Sequence, residues 1–456
     1  MSKNKNKIIL EKYFEESFTD FSAYSSYRSM SSYSDGLKNG QRKVIYTIQR
    51  KIKQNMEKVS RLASVVGLET EYLHGDASME QTIVNIVRNW DKPLPILEEK
   101  GTFGSRTIPK ASAPRYIYTK KNDMFDLIFP QDFYDIEILQ NFEGNKIEPK
   151  TLTPILPLLL INGNSGIGSG FSQNVLPRDP AVIKEIIVKY LKSTAQNPQR
   201  ILEKAELPIK FPHYSGEIKT DGLRSVFMGV IKKVNMSTVE ITDLPIGYNL
   251  DSYISVLEEL MDKKKIVSYV DKSEDNEFNF VIKVKREDLN KRWMSFKKDE
   301  EGVSPIMETF KLVKSQTEIF SCIGPDNSFE EFNSATEVLV NYMEFILEKY
   351  EELRRYKIRM LEELINDLSE KARFIKLVIE GKIIVNNRPK ADIEKQLKKH
   401  KFEGFDTYLN MRIYSLTKER YEALLKEVEQ KLLQKAELER KTNKDLYLED
   451  LKKINL

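Results

Sequence analysis

Two parts of the sequence contain residues whose types and spacing could support chemistry: a glycine-rich segment at 163–170 and a basic region at the start of the chain. The glycine-rich segment follows an apolar run and has the composition of a phosphate-binding loop. Such a loop requires an amphipathic helix after it, whereas residues 171–180 contain two prolines. No GxxxxGKS or GxxxxGKT motif occurs in the chain. We therefore interpret these glycines as residues that allow tight backbone turns.

Metal-binding patterns are not evident in the sequence. The single cysteine, Cys322, excludes intrachain disulfides and CxxC sites, and the three histidines lie far apart at positions 74, 213 and 400. There is no convincing DxD motif or acidic cluster of the kind that holds Mg²⁺ beside phosphates. We therefore expect no metal site and no bound cofactor in this chain.

Four short segments near the start of the chain stand out by their order: RSMSSYSDGLKNGQRK at 28–43, YLHGDAS at 72–78, GTFGS at 101–105 and APRYIYT at 113–119. Their order, spacing and sequence resemble the breakage-reunion region of type IIA DNA topoisomerases. Later matches extend the resemblance over nearly the whole chain: IEP at 147–149, PILP at 154–157, LING at 160–163 and ITDLP at 241–245. With neither an ATPase nor a metal motif, the chain looks most like the separate DNA-cleavage subunit of T4-type phage enzymes.

The resemblance implies four catalytic residues. Tyr116 would be the nucleophile that forms a 5′-phosphotyrosyl bond with DNA, and Arg115 would assist it. A phenol has a pKa near 10, so attack on phosphate needs electrostatic help, which an adjacent guanidinium can supply. Arg28 would bind the scissile phosphate, and His74 would donate a hydrogen bond to a phosphate oxygen.

The resemblance also implies residues that bind DNA without reacting. Polar and basic side chains of a DNA-facing helix-turn-helix make up the first group: Lys38, Gln41, Arg42 and Lys43. An apolar wedge that enters between base pairs is the second, and either Leu156 or the adjacent Ile155 matches it. For the wedge residues, core packing is the alternative interpretation.

The elements that must position these residues follow from hydrophobic periodicity. Residues 8–58 are predicted to be helical, interrupted by a turn-rich loop at 31–36, because Ile45, Ile48 and Ile52 recur at helical spacing. A second helix is predicted over 77–90, followed by a loop over 101–114 and a short strand over 115–119. In the middle region, 239–242 and 278–284 alternate as strands around a helix at 252–261.

The last third of the chain has a different pattern. Residues 335–371 contain no glycine or proline and would form a helix of roughly 55 Å, and a second helical stretch runs from 416 to about 438. We interpret the two as an antiparallel coiled-coil arm that brackets a small tip. An ordinary helical bundle is the alternative.

Composition sets the broad class. With 456 residues, 40% hydrophobic and 31% charged, the chain is long enough for about three domains and too apolar to be disordered. No apolar run approaches the roughly 20 residues of a membrane span, and no signal peptide is visible. Residues 1–120 carry 20 basic and 13 acidic side chains, which suits a polyanionic partner, although ordinary surface variation would also account for it.

We therefore predict an α+β multidomain protein. The family implies a winged-helix DNA-binding domain, an α/β tower domain and a long antiparallel coiled-coil arm ending in a helical dimerisation gate. The predicted boundaries are 1–20 for an N-terminal arm, 21–146 for the winged-helix domain, 147–333 for the tower, 334–372 with 415–456 for the arm, and 373–414 for the dimerisation tip, where Leu409, Met411 and Ile413 are candidate contacts.

The predicted function is DNA cleavage within an ATP-dependent type II topoisomerase. The chain would act on double-stranded DNA as a homodimer, with Mg²⁺ and ATP bound by separate partner subunits, in the cytoplasm of a phage-infected bacterial host. One alternative is a non-catalytic nucleic-acid-binding coiled-coil scaffold, which covalent attachment to DNA would exclude. A second is a nuclease with a tyrosine intermediate, which religation would exclude.

Overall fold

A computed structural model of the protein describes residues 10–52 and 55–456. Its architecture is α+β, and the described residues form two compact units. One contains the residues up to Ile346 together with Asp450–Leu456, and the other is Leu347–Glu449. The predicted helical positions 8, 9, 53 and 54 lie outside the described residues.

The basic front of the chain is a set of helices beside a small antiparallel sheet. The periodic residues Ile45, Ile48 and Ile83 are buried as predicted, which ties the helices to one core. A π-helical segment, Tyr13–Phe18, leads into helices α1 (Thr19–Ser29), α2 (Asn39–Lys51), α3 (Val59–Thr70) and α4 (Asp76–Val87). The sheet has the order β1-β3-β2 and consists of β1 (Glu57–Lys58), β2 (Leu97–Lys100) and β3 (Tyr118–Lys121).

One predicted strand is shorter than expected. Residues 115–119 were predicted as a strand, but 114–116 form a turn and β3 begins only at Tyr118. Pairing explains the limit, because Tyr118 is the first residue of β3 with partners, opposite Lys58 and Lys100. Arg115 and Tyr116 therefore precede the sheet.

A connecting region follows the front. It contains α5 (Phe125–Ile128), the 3₁₀ helix Gln131–Asp135, β4 (Leu139–Phe142), β5 (Asn145–Pro149), α6 (Leu158–Asn162), β6 (Asn164–Ile167), β7 (Ser172–Val175), α7 (Pro180–Lys192) and α8 (Arg200–Glu203). Strands β4 and β5 form a hairpin, and so do β6 and β7. The second hairpin lies beside the end of α1 and is important for the site described below.

The middle of the chain is built from antiparallel strands, two of which correspond to the alternating segments predicted at 239–242 and 278–284. They are β8 (Ile218–Asp221), β9 (Arg224–Met228), β10 (Val230–Asn235), β11 (Thr238–Asp243), β12 (Ser268–Asp271), β13 (Phe280–Lys283), β14 (Val313–Thr317), β15 (Ile319–Ile323) and β16 (Phe329–Phe332). The helices here are α9 (Leu250–Asp262), α10 (Pro305–Thr309) and the 3₁₀ turns Asp288–Asn290 and Arg292–Met294.

These strands make three sheets, of orders β10-β11-β13-β12, β14-β9-β8 and β16-β15-β7-β6. We call the first the middle sheet. Its inward residues Val239, Ile241 and Ile282 pack with Tyr253 and Leu257 of α9 into one apolar core. The third sheet joins the hairpin β6–β7 to strands that lie about 150 residues later in the chain.

The last third is helical. It contains α11 (Ala335–Ile379), α12 (Lys390–Lys399), α13 (Phe405–Leu409), the 3₁₀ turn Ile413–Ser415, α14 (Lys418–Arg440) and α15 (Asn443–Lys453). The partners of α11 come in reverse order along the chain. Tyr350 stacks on Tyr447, with ring centres 4.9 Å apart, whereas the later Glu362 pairs with the earlier Lys435 at 2.9 Å. The long helices are therefore antiparallel, and α11 continues unbroken through the predicted arm–tip boundary at 372.

None of the helices within the described residues combines the length and the apolarity needed to cross a lipid bilayer.

Candidate active site and nucleic-acid interface

Tyr116 is presented in a turn at the end of the loop that joins β2 to β3. Its backbone N–H donates to the Ala113 carbonyl at 2.9 Å, and its side chain is 65% exposed. The guanidinium carbon of Arg115 lies 4.9 Å from the centre of the Tyr116 ring. The neighbouring Ile117 is buried and holds the base of the loop. An accessible phenol with a cation against it is suited to attack a phosphate and to stabilise the negative charge that develops.

A second group of predicted residues is brought together where α1 ends and α4 begins. A nitrogen of the Arg28 guanidinium donates to Ser78 Oγ at 3.2 Å, and Tyr72 Oη lies 3.1 Å from the same oxygen. His74 Nε2 lies 2.5 Å from Tyr24 Oη. Arg28 is exposed in the last turn of α1, so it can meet a phosphate.

The His74 imidazole has a lowered pKa. Burial disfavours its charged form, and the positive charge of Arg28 acts in the same direction. The neutral form of His74 is therefore favoured in the free protein, and a phosphate placed between it and Arg28 would favour the protonated form.

Arg28 and His74 line one cavity of about 690 Å³, and Lys38 and Gln41 share its wall. The Lys38 ammonium donates to the Ser165 carbonyl at 2.7 Å, and burial lowers the pKa of this lysine. Gln41 accepts the backbone N–H of Lys38 at 3.0 Å and so caps the start of α2. These four predicted residues thus meet at one cavity, which we call the polar cavity, and Lys43 also lines it.

Arg42 was predicted to contact DNA, but the structure places its side chain in the interior. Its side chain is 2% exposed, and its Nε lies 2.6 Å from Asp35 Oδ2. Burial acts to lower the pKa of Arg42, but the Asp35 carboxylate outweighs burial and raises it. Asp35 also accepts the N–H of Leu37 and of Leu152, at 2.9 and 3.1 Å. Arg42 therefore holds the 31–37 loop in place and is not available to a DNA phosphate.

The same loop explains why glycine follows Asp35. Gly36 has φ +70°, and a Cβ there would lie 2.4 Å from the backbone nitrogen of Leu159. Only glycine tolerates both the backbone conformation and this close approach. The motif Asp-Gly-Leu-Lys thus fixes the turn that delivers Lys38 to the cavity.

Lys43 also departs from the prediction of a phosphate contact. Its ammonium lies 2.8 Å from Glu148 Oε1 and donates to the Thr70 carbonyl at 2.7 Å, and both charged side chains are buried. Although Lys43 forms part of the cavity wall, its charge is already paired. Helix α2 has a buried run over 42–49, which is why Arg42 and Lys43 point into the protein, whereas Arg50 and Lys51 in its last turn are exposed.

The predicted wedge residues are likewise buried. Ile155 and Leu156 are both 0% exposed, and the Ile155 N–H donates to the Ile128 carbonyl at 2.9 Å. An apolar side chain that enters between base pairs must reach the surface. Both residues are packed in the core in this structure, which favours the core-packing alternative.

An exposed apolar residue that the prediction missed lies at the end of β6. Ile167 is 83% exposed and borders the same small surface depression as Arg28, Lys38 and Phe21. The sequence contains a signal for this exposure. Ile167 stands between Gly166 and Gly168, which have no side chains that could cover it. Its position beside two cations makes it the better candidate for a wedge.

The flanking glycines have a packing role. A Cβ on Gly166 would lie 1.9 Å from the Ser29 carbonyl oxygen, and one on Gly168 would lie 2.8 Å from Ser26 Oγ. The hairpin β6–β7 therefore rests directly on the end of α1, one residue from Arg28. Gly166 and Gly168 thus allow a close backbone contact. The tight turns predicted for the glycine-rich segment occur at Gly163 and Gly170, which have positive φ.

Among the described residues, no hydrogen bond or ring contact joins Tyr116 or Arg115 to the Arg28 and His74 group. The described residues also include no group of three or more histidine, cysteine, aspartate or glutamate side chains arranged to hold a metal ion. The described side chains therefore do not form a Mg²⁺ site by themselves.

Comparison with known proteins gives a consistent result. The family model for the DNA gyrase/topoisomerase IV A-subunit matches residues 28–455. The chain is 30% identical to DNA topoisomerase 2 of Plasmodium falciparum over 95% of its own length and 33% of that protein. It is 26% identical to the DNA topoisomerase medium subunit of Enterobacteria phage T4, over 90% of this chain and 91% of the phage protein.

A solved structure agrees with these matches. The crystal structure of the Plasmodium falciparum topoisomerase II DNA-binding, cleavage and re-ligation domain superimposes with a TM-score of 0.80 at 29% identity, covering 95% of this chain and 62% of that one. The chain spans about a third of the length of its eukaryotic relatives. The resemblance to topoisomerases is confirmed, and phage and eukaryotic proteins match at similar identity.

Proposed function

The chain belongs to the DNA gyrase/topoisomerase IV A-subunit family, and from this premise we propose that it is the DNA breakage-reunion subunit of an ATP-dependent type IIA topoisomerase. It makes a transient double-strand break, allows a second duplex to pass and reseals the break. The observation that carries this proposal is the exposed Tyr116 with Arg115 against its ring. A non-catalytic scaffold is not favoured, because the family match spans nearly the whole chain.

In the proposed reaction, the phenolic oxygen of Tyr116 attacks the phosphorus of a DNA phosphodiester. The phosphorus–O3′ bond breaks as the tyrosyl–phosphorus bond forms, the phenol loses its proton, and O3′ leaves as a hydroxyl after gaining one. The phosphate remains a diester, so religation is the same exchange in reverse and needs no other reactant. Arg115 stabilises the charge that develops on the phosphate oxygens.

The polar cavity is the proposed phosphate-binding surface. Arg28 and His74 contact the scissile phosphate, and Lys38 and Gln41 contact neighbouring parts of the backbone. Ile167, in place of Ile155 or Leu156, enters between base pairs and bends the duplex. Unstacking one step costs a few kcal/mol, which the additional contacts to bent DNA offset.

The domain assignment is part of the proposal. Helices α2–α4 with the sheet β1-β3-β2 are the elements of a winged-helix domain at 21–146, and the region over 147–333 is the tower. The antiparallel pair α11 and α14 supports a coiled-coil arm over 334–372 and 415–456. The apolar cluster that includes Phe374, Phe402 and Tyr408 supports a compact dimerisation tip at 373–414.

The partners are inferred from the relatives. The similarity to a protein named as a medium subunit supports an assembly in which other subunits bind Mg²⁺ and ATP, while this chain forms a homodimer on double-stranded DNA. A phage-infected bacterial cytoplasm as the location stays a prediction.

The experiment that tests the function is plasmid cleavage and relaxation by the full chain, with and without candidate partner subunits. We expect detergent to trap protein on the 5′ ends of broken DNA, and topoisomers to appear only when ATP and the partners are present. Protein-free breaks, or no breaks under any of these conditions, would contradict the proposal.

A further inference from the structure

The loop at 101–117 that carries Tyr116 is anchored at its tip by a buried arginine. Arg106 is 7% exposed, and its guanidinium lies 2.6 Å from Asp243 Oδ1, at the end of β11 in the middle sheet. The same guanidinium donates to the carbonyls of His213, at 2.5 Å, and Leu244, at 2.7 Å. One side chain therefore joins the loop to two separate segments of the middle region.

Aromatic and backbone contacts strengthen the attachment. The guanidinium carbon of Arg106 lies 5.3 Å from the Tyr214 ring centre and 5.1 Å from that of Phe278. The backbone N–H of Arg106 donates to Asn276 Oδ1 at 2.8 Å, and the carbonyl of Thr107 accepts from Leu250 at 2.9 Å. The β12–β13 turn of the middle sheet and the start of α9 therefore both form hydrogen bonds with the tip of the loop.

Such an anchor matters because of what the loop carries. Surface loops are usually mobile, and Ile108, two residues beyond the anchor, is exposed. A nucleophile that is misplaced by about 1 Å can lose a hundredfold in rate. Separating the partners of a buried ion pair leaves an uncompensated buried charge, so such a pair resists being pulled apart.

We propose that Arg106 is a positioning residue for Tyr116: it fixes the nucleophile loop to the middle sheet, so that the sheet and Tyr116 move as one body. This inference rests on the proposed function. Because Arg106 is enclosed by protein groups, it acts through the loop and not by contact with DNA.

The chain offers a closely matched control. Arg178 is also buried, pairs with Glu318 at 2.8 Å, donates to the Leu176 carbonyl at 2.6 Å and lies 5.7 Å from the Phe320 ring centre. It is not part of the nucleophile loop. Replacing Arg106 or Arg178 removes the same kind of interaction from different places in the same compact unit.

The experiment compares Arg106→Ala, Arg106→Lys and Arg178→Ala in the full chain combined with its partner subunits, on duplex DNA. The measurements are the rate of covalent adduct formation at saturating DNA, the Kd for the duplex, and the Tm. We expect Arg106→Ala to slow adduct formation on the order of ten- to a hundredfold with an unchanged Kd. We expect Arg106→Lys to recover part of the rate, and Arg178→Ala to lower the Tm without slowing the adduct step.

An Arg106→Ala protein that forms adduct at the wild-type rate would overturn the inference, as would equal slowing by Arg178→Ala at the same folded fraction. If Arg106→Ala does not fold, Asp243→Asn provides the same comparison, because it weakens the anchor while keeping its shape. The two proposals can be distinguished by their failures. If the wild-type chain forms no covalent adduct, the proposed function is wrong. If the wild-type chain forms adduct and the Arg106 variants form it equally fast, only the positioning role of Arg106 is wrong.

Discussion

At the scale of single residues, the proposed chemistry depends on one hydroxyl group. Tyr116→Phe is expected to abolish covalent attachment to DNA and leave the Tm and the DNA Kd nearly unchanged, because exposed positions tolerate such a change within about 0.5 kcal/mol. The trapped adduct after detergent treatment is the measurement. Tyr118→Phe is the control, since Tyr118 belongs to the paired strand β3. If the Tyr116 variant forms adduct and the Tyr118 variant does not, Tyr118 is the nucleophile.

His74 gives a prediction about pH. Burial and Arg28 lower the pKa of its imidazole in the free protein, and a bound phosphate would raise that pKa, so binding would take up a proton. DNA affinity should therefore increase as the pH falls from about 7.5 to 6. His74→Gln should remove this increase, measured as the slope of log Kd against pH. His400→Gln is the matched control, and an identical slope in all three proteins would exclude His74 from the phosphate site.

At the scale of elements, the decisive contact is that of the hairpin β6–β7 with the end of α1. Gly166→Ala would place a methyl group 1.9 Å from the Ser29 carbonyl oxygen, which the backbone can relieve only by moving. We expect a destabilisation of about 1–3 kcal/mol and a fall in both DNA affinity and adduct formation, because Arg28 is displaced. Urea unfolding and DNA titration provide the measurements.

Gly67→Ala is the control for that variant. Gly67 lies within α3, and a Cβ there meets nothing within 4 Å, so alanine should stabilise the helix by about 0.5–1 kcal/mol. A Gly166→Ala protein that binds and cleaves DNA like the wild type would show that the hairpin does not position Arg28.

At the scale of the whole molecule, the proposed homodimer requires a surface at which two copies meet. Of the three predicted contacts, Leu409 and Met411 are half-buried and pack against the tip's own core, and the side chain of Ile413 lies outside what the structure describes. Ile379, Ile384 and Tyr414 are exposed. We expect that glutamate at these three exposed positions makes the chain monomeric or weakly associated in sedimentation. A shorter chain lacking 373–414 would be a poorer test, because it would uncover core residues such as Leu368.

Leu433→Glu is the control for the tip variant, since Leu433 is also an exposed apolar residue but lies on α14. It should leave association unchanged. A tight dimer in the tip variant would place the main contact outside the tip.

Much of the fold was predictable from the sequence because its signals are local. Periodicity located the helices around Ile45 and Ile83 and the long helices of the last third, and alternation located β11 and β13. These patterns show which face of a helix or strand is apolar, and the residues on that face are the ones buried in the structure. The short strand at 115–119 was misplaced because its length depends on pairing with β1 and β2, which come from other segments of the chain.

By itself, the sequence determined the family, the order of the elements and the identity of the candidate nucleophile, because motif order and residue type are properties of the chain. Only the tertiary structure decided which charges and apolar groups face outward. Arg42 and Lys43 look like DNA contacts in the sequence, but Asp35, in the turn before α2, pairs with Arg42 in the interior, and Glu148, from a distant segment, pairs with Lys43. Ile155 and Ile167 are the same residue type, and one is buried while the other is exposed, since burial depends on the segments that the fold brings around each side chain.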